Sequence, residues 1–121
     1  MIIKQDKNKA RLQRARRQDD IKGDAKKPRL VVYRSLSNIY AQLVNDEKGD
    51  TVIAVNTLQP AIEKLVKGKS KKEAAFIVGE QLAVAALAKK ITTCVFDRNG
   101  YVYHGRIQQV ADGARKGGLV F

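Results

Sequence analysis

The chain has 121 residues, of which 44% are hydrophobic, so it has room for one domain with one modest core. Its 24 lysine and arginine residues against 12 acidic residues give a net charge of +12, which favours a polyanionic partner over a small acidic substrate. The single cysteine, Cys94, excludes an internal disulfide, and no apolar run approaches the roughly 18 residues of a membrane span. We therefore expect a soluble intracellular protein with no cofactor or metal.

The N-terminal segment carries much of the charge and little that could form a core. Residues 1–34 contain twelve basic and four acidic side chains, a net charge of +8. We predict that residues 1–27 form a basic, flexible N-terminal arm that binds a polyanion, and that residues 28–121 form a globular α/β domain. A solvated tail that only aids solubility is the plainer reading of the same charges.

Three strands are predicted to follow Pro28, in "RLVVYR", "NIYAQLVN" and "TVIAVNT". The second alternates, with Ile39, Ala41 and Leu43 on one face and Tyr40, Gln42 and Val44 on the other. The links "SLSN" and "NDEKGD" are short and polar, as turns are. Short links between consecutive strands predict an antiparallel meander.

Helical signals begin after the third strand. "PAIEKLV" reads as a short amphipathic turn, and a helix is predicted from Lys71 to Lys90, with Ser70 and Glu73 at capping-box spacing. Its many apolar positions indicate a helix packed in the core. "ITTCVFD" then predicts a buried strand that lies parallel to an earlier one after a helical crossover.

The last part of the chain predicts a tight turn at Asn99-Gly100 and a helix over residues 106–116. Taken together, these elements predict a three-layer α/β/α fold around a mixed sheet. Its parts are the meander of three strands, the crossover helix, the further parallel strand and the C-terminal helix.

Catalysis finds little support in the sequence. His104 is the only histidine, Cys94 lies in an apolar strand, and no serine has a nucleophile-elbow context. The carboxylates are scattered, although Asp97 at a strand end keeps a metal-dependent nuclease open as an alternative. We expect no enzyme and no small-molecule substrate.

Two groups of polar and aromatic side chains fit RNA, which proteins contact at phosphates, 2′-hydroxyls and unstacked bases. The first hairpin supplies arginine, serine, asparagine, tyrosine and glutamine side chains, and residues 101–106 supply two tyrosines, a histidine and an arginine. Tyr33 and Tyr103 are equally compatible with packing on a sheet. Duplex DNA is disfavoured because no helix has a basic recognition face, and a non-specific nucleic-acid-coating protein stays open as an alternative.

Three stretches also resemble a known family: "KPRLVVYRSLSNIYAQLVND", "AAFIVGEQLA" and "VFDRNGYVYHGRIQQVADGARKGGL". They are similar to the bacterial large-subunit ribosomal protein eighteen, and the likeness runs from Asp6 to Phe121. The resemblance implies a three-layer α/β fold, a location in the cytoplasmic ribosome and no catalytic activity. It further implies binding of 5S ribosomal RNA and its attachment to the large-subunit RNA in the central protuberance, beside neighbouring ribosomal proteins.

The family motifs assign candidate RNA-binding residues to three parts of this chain. The first hairpin contributes Arg29, Arg34, Ser35, Ser37, Asn38, Tyr40 and Gln42. The second group contributes Tyr101, Tyr103, His104 and Arg106. The arm contributes Arg11, Arg14, Arg16 and Arg17, and departs from the family pattern where Asp19 and Asp20 follow them.

Overall fold

The computed structural model describes residue 12 and residues 21–121 of the chain. Within residues 21–121 a four-stranded sheet packs against three helices. The strands are β1 (Arg29–Arg34), β2 (Ile39–Asn45), β3 (Asp50–Asn56) and β4 (Val95–Asp97), and their order in the sheet is β3-β2-β1-β4. The helices are α1 (Pro60–Val66), α2 (Lys71–Ala88) and α3 (Arg106–Lys116).

The predicted meander and its mixed continuation are confirmed. β1 pairs antiparallel with β2, β2 pairs antiparallel with β3, and β4 lies parallel to β1. Alternation of side chains decides which face is buried, because successive residues of a strand point to opposite sides. Ile39, Ala41 and Leu43 are buried with Leu30 and Val32, and they form the core with the helices.

The second face of the sheet, which we call the open face, carries no helix among residues 21–121. Val31 and Val44 are half-buried there, and Tyr33, Gln42 and Ala54 are exposed. The crossover helix and the C-terminal helix pack on each other and contribute to one core. The α/β class and the mixed sheet are therefore confirmed, while the helices of this part of the chain share one face instead of covering both.

Residues at or near the ends of helices α1 and α2 set where these helices begin and where α2 ends. α1 is a full helix where only a short turn was predicted, and Pro60 stands in its first turn, where a missing N–H costs nothing. The Ser70 hydroxyl caps α2 by accepting from the Glu73 N–H at 3.2 Å. Lys90 adopts a left-handed backbone with φ of 64°, so α2 ends at Ala88, two residues before the predicted end.

The strand predicted over residues 91–97 is shorter than expected. Only Val95–Asp97 pairs with β1. The residues before it bond to the end of the chain instead: Val120 donates to the Thr92 carbonyl at 2.9 Å and Cys94 donates to the Val120 carbonyl at 3.3 Å. The tight turn is confirmed, with Asn99 and Gly100 both at positive φ.

Helices α2 and α3 touch through their backbones. A Cβ atom on Gly113 would lie 2.1 Å from the Phe76 carbonyl oxygen, and one on Gly79 would lie 2.2 Å from the Val110 carbonyl oxygen. The N-terminus of α3 lies beside the β1–β2 turn, since Arg106 bonds to the Ser35 carbonyl. None of the helices in the described part of the chain has the length and apolarity to cross a lipid bilayer.

Two backbone hydrogen-bonding groups of Gly23 tie the segment before β1 to the sheet. The Gly23 N–H donates to the Asp46 carboxylate at 2.7 Å, and the Asp46 N–H donates to the Gly23 carbonyl at 3.1 Å. The division of the chain at residues 27 and 28 stays a prediction. Contacts with the sheet begin at least as early as Gly23.

Candidate nucleic-acid interface

The fold brings part of the two predicted groups together where β1 ends. The Tyr101 hydroxyl accepts from the Arg34 N–H and donates to the Arg34 carbonyl, both at 3.3 Å. The Arg34 guanidinium carbon lies 5.1 Å from the Tyr101 ring centroid. Arg106 donates from Nη2 to the Ser35 carbonyl at 3.0 Å. We call the following set the strand-end cluster: Tyr33, Arg34, Ser35, Tyr40, Tyr101 and Arg106.

Two positive charges share this cluster. Neither Arg34 nor Arg106 forms an ion pair with a carboxylate of residues 21–121. Partial burial lowers the pKa of Arg106, and the neighbouring charge of Arg34 lowers it further. The two guanidinium groups therefore repel each other. An anion placed between them would relieve their mutual repulsion.

Tyr33 presents an aromatic ring on the open face beside these charges. Its side chain is 49% exposed, and its ring centroid lies 5.7 Å from that of Tyr40 and 6.5 Å from that of Tyr101. The candidate residues did not include Tyr33. The alternation of β1 could have found it, because Tyr33 and Tyr40 are register partners on the face opposite the core. Tyr101 is only 8% exposed, so its ring supports the cluster from below.

The polar residues of the β1–β2 turn divide into structural and exposed ones. The Ser35 hydroxyl accepts from the Asn38 N–H at 3.1 Å, and the Asn38 side-chain oxygen accepts from the Thr57 hydroxyl at 2.8 Å. These two residues hold the turn. Ser37 at the tip and Gln42 on the open face are exposed and accessible to a ligand.

Arg29 lies at the other end of β1, away from the strand-end cluster. Its Nε is 3.0 Å from an Asp46 oxygen, and its Nη1 is 2.7 Å from an Asp97 oxygen. The guanidinium therefore ties the start of β1 to the end of β2 and to β4. The RNA contact of Arg29 stays a prediction.

Asp97, the carboxylate on which the nuclease alternative depended, is engaged on both oxygens. One accepts from Arg29 and the other accepts from the Asn99 N–H at 2.8 Å. Among residues 21–121 no three histidine, cysteine or acidic side chains converge as metal ligands. The described carboxylates thus offer no arrangement for metal-assisted phosphoryl chemistry.

The remaining candidates lie apart from the cluster or outside the described residues. The Tyr103 ring packs edge-on against Phe96 at 5.9 Å, and its hydroxyl accepts from Arg115 at 3.3 Å. His104 is exposed in the loop before α3. The four candidates of the arm, Arg11, Arg14, Arg16 and Arg17, lie outside the described residues. For all six, RNA contact stays a prediction.

An exposed tyrosine beside two arginines on a strongly basic domain is typical of proteins that bind nucleic acid. Comparison with known families identifies the particular class of nucleic-acid-binding protein. The family model described as "Ribosomal L18 of archaea, bacteria, mitoch. and chloroplast" matches residues 4–121. The chain belongs to this family of large-subunit ribosomal proteins.

Individual relatives match most or all of the chain. The large ribosomal subunit protein uL18 of Clostridioides difficile is 49% identical over 122 residues, covering 100% of both chains. The protein of the same name from Lactobacillus acidophilus is 52% identical with the same coverage. That from Chlorobaculum parvum is 53% identical over 108 residues, which is 89% of each chain.

Family membership establishes the general role. The chain is a structural constituent of the large ribosomal subunit, and its partners are ribosomal RNA and other ribosomal proteins. The family is not an enzyme class. The expected location in the cytoplasmic ribosome and the predicted family resemblance are both confirmed.

Proposed function

We propose that this chain binds 5S ribosomal RNA and helps attach it to the large-subunit RNA in the central protuberance, without catalysing a reaction. The strand-end cluster carries the proposal, because Arg34 and the exposed Tyr33 ring both lie against Tyr101, and Arg106 bonds to the neighbouring Ser35 carbonyl. The choice of 5S ribosomal RNA rests on the motif resemblance. The same proposal divides the chain into an RNA-binding arm, residues 1–27, and an RNA-binding domain, residues 28–121.

The cluster and the exposed residues near it carry groups that have counterparts in RNA. The guanidinium groups of Arg34 and Arg106 can each donate two hydrogen bonds to a phosphate. The Tyr33 ring offers a stacking surface for an unpaired base. Ser37 and Gln42 carry donors and acceptors suited to a ribose 2′-hydroxyl, and the arm arginines add phosphate contacts.

A comparison of three RNAs tests the proposal. Affinity is measured for 5S ribosomal RNA, a transfer RNA and a random RNA of similar length across a salt series. All three should weaken steeply with salt, because each neutralised phosphate releases counterions. A preference for 5S ribosomal RNA that survives at high salt is the expected result. Equal affinities that fall together would contradict the proposal and favour a non-specific nucleic-acid-coating protein.

Replacing Arg34 by alanine is expected to weaken 5S ribosomal RNA binding by about 1–3 kcal/mol, the range for removal of a charge-assisted hydrogen bond. Lys48→Ala is the matched control, since it removes one exposed positive charge from the β2–β3 turn, at the opposite end of the sheet. A filter-binding or fluorescence-anisotropy titration measures both. Equal affinities of the two variants would remove Arg34 from the interface.

Replacing Tyr33 by leucine is expected to weaken binding by about 1–3 kcal/mol if one base stacks on its ring. Leucine keeps an apolar side chain on the strand but removes the aromatic surface. Tyr33→Phe is the control, because it keeps the ring and loses only the hydroxyl. If the leucine variant binds as well as the phenylalanine variant, no base stacks there.

A further inference from the structure

A groove adjoins the β1–β2 turn on the side away from Tyr33. It encloses about 450 Å³ between the tip of this turn, the connection from β3 to α1, and the loop that leads into α2. Ser37, Asn38 and Thr57 line one wall. The other wall is lined by two lysines of the loop and by the first residue of α2: Lys67, Lys69 and Lys71.

The groove is positively charged and its lysines are accessible. Five lysines and two glutamates lie within residues 63–73, and one glutamate, Glu63, also lines the groove. All five lysines are exposed, and none forms an ion pair with a carboxylate of the described residues. Nothing in the strand-end cluster accounts for this second concentration of charge.

The groove is also lined by Leu58, Val66 and Ala74, and the wall formed by the β1–β2 turn supplies polar groups that suit a sugar–phosphate strand. The Asn38 side-chain oxygen is occupied by Thr57, which leaves the amide N–H groups of Asn38 as donors beside the groove. Lysine ammonium groups bind phosphate as point charges and need no fixed geometry. Ser37 at the tip connects the groove to the strand-end cluster through the β1–β2 turn.

We propose that this lysine groove holds a second stretch of RNA backbone, so that bound RNA passes over the tip of the β1–β2 turn and contacts both sides of it. The inference rests on the proposed function, since it extends the same RNA-binding surface. RNA fits better than a neighbouring protein because three lysines outnumber the single glutamate of the groove, and because the β1–β2 turn joins the groove to the strand-end cluster.

A pair of double variants tests the groove. Lys67→Gln with Lys69→Gln removes two charges from it, and Lys48→Gln with Lys90→Gln removes two exposed charges from the opposite end of the domain. The groove variant is expected to bind 5S ribosomal RNA about tenfold more weakly than the control variant. Its salt dependence should flatten by about 0.7 in log–log slope for each phosphate that the variant no longer neutralises. Equal affinities and equal slopes would overturn the proposal.

Cross-linking reports whether RNA lies close to the groove, and this result does not depend on the net charge of the variant. A photoactivatable thiol reagent is attached to Lys69→Cys or, as control, to Lys48→Cys. The native Cys94 is buried and its pKa is raised to about 12, so it competes poorly for the reagent. Cross-links to RNA from position 69 and not from position 48 are expected in the bound complex.

The outcomes separate this proposal from the one on which it rests. A wild-type chain that binds all RNAs equally refutes the 5S assignment, yet the two double variants still differ on any of those RNAs if the groove holds RNA. In assembled subunits, cross-links from position 69 to protein alone would overturn the groove as an RNA site and identify a protein contact.

Discussion

Replacement of Arg29 by methionine should lower the free energy of unfolding by about 2–3 kcal/mol. Breaking a buried ion pair costs about 3–5 kcal/mol, and partial exposure of these partners reduces the effect. The variant leaves Asp97, whose side chain is only 12% exposed, without its guanidinium partner. It also removes the hydrogen bonds to Asp46. Urea denaturation followed by far-ultraviolet circular dichroism measures the loss.

Lys48→Met is the control for Arg29→Met, because it exchanges an exposed cation for the same apolar side chain. The control should lie within about 0.5 kcal/mol of the wild type, as surface substitutions do. Equal destabilisation by both variants would contradict a structural role for Arg29. Binding of 5S ribosomal RNA by the folded variant then shows separately whether Arg29 also contacts RNA.

The stability of the wild type and that of Arg29→Met should depend differently on pH in the acid range. The hydrogen bonds from Arg29 lower the pKa of Asp46. Stability from a lowered carboxyl pKa is fully present above the unfolded value of about 3.9, and it is lost as the pH falls through the folded value. The stability gap between wild type and Arg29→Met should therefore narrow below about pH 4. A gap that stays constant from pH 7 to pH 3 would contradict the Asp46 interaction.

Replacement of Gly113 by alanine should lower the free energy of unfolding by about 2–3 kcal/mol, the upper part of the range for overpacked cores. In an open helix the same change would stabilise by about 1 kcal/mol. Here the sign reverses, because the new methyl group would lie 2.1 Å from the Phe76 carbonyl oxygen. Helices α2 and α3 would have to separate. Denaturation in urea measures the change.

Val84→Ala is the control for Gly113→Ala. Val84 is 56% exposed on α2, so the change alters a helical side chain without touching the helix–helix contact. Its expected effect lies within about 0.5 kcal/mol. If Gly113→Ala stabilises the chain as an open helix would be stabilised, the close contact of the two backbones is refuted.

Local patterns predicted most of the fold. The alternation in "NIYAQLVN" gave the buried face of β2 correctly, and the spacing of Ser70 and Glu73 marked the start of α2. The helix predicted over residues 106–116 has the observed bounds. These features depend on neighbours a few residues apart, which is the range over which hydrophobic periodicity and capping act.

Interactions between distant parts of the chain were not predictable in this way. The strand predicted over residues 91–97 is shorter because Thr93 pairs with Val120, and no local sequence pattern predicts that partner. The family motif made Arg29 a candidate RNA contact, but no local pattern predicted its ion pairs, for which the fold brings Asp46 and Asp97 to it from 17 and 68 residues away. Likewise, Tyr101 is buried, and its hydroxyl bonds to the backbone of Arg34, 67 residues away.

The open face gives each inner strand two separable sets of positions. Along β1 the even-numbered Leu30 and Val32 are buried, while the odd-numbered Val31 and Tyr33 face away from the helices. Along β2 the parity is reversed, with Ile39 buried and Gln42 exposed. A harmful substitution at residues 30–33 of β1 or 39–44 of β2 can therefore be sorted by residue number: one parity damages the core, and the other alters the surface while the core stays intact.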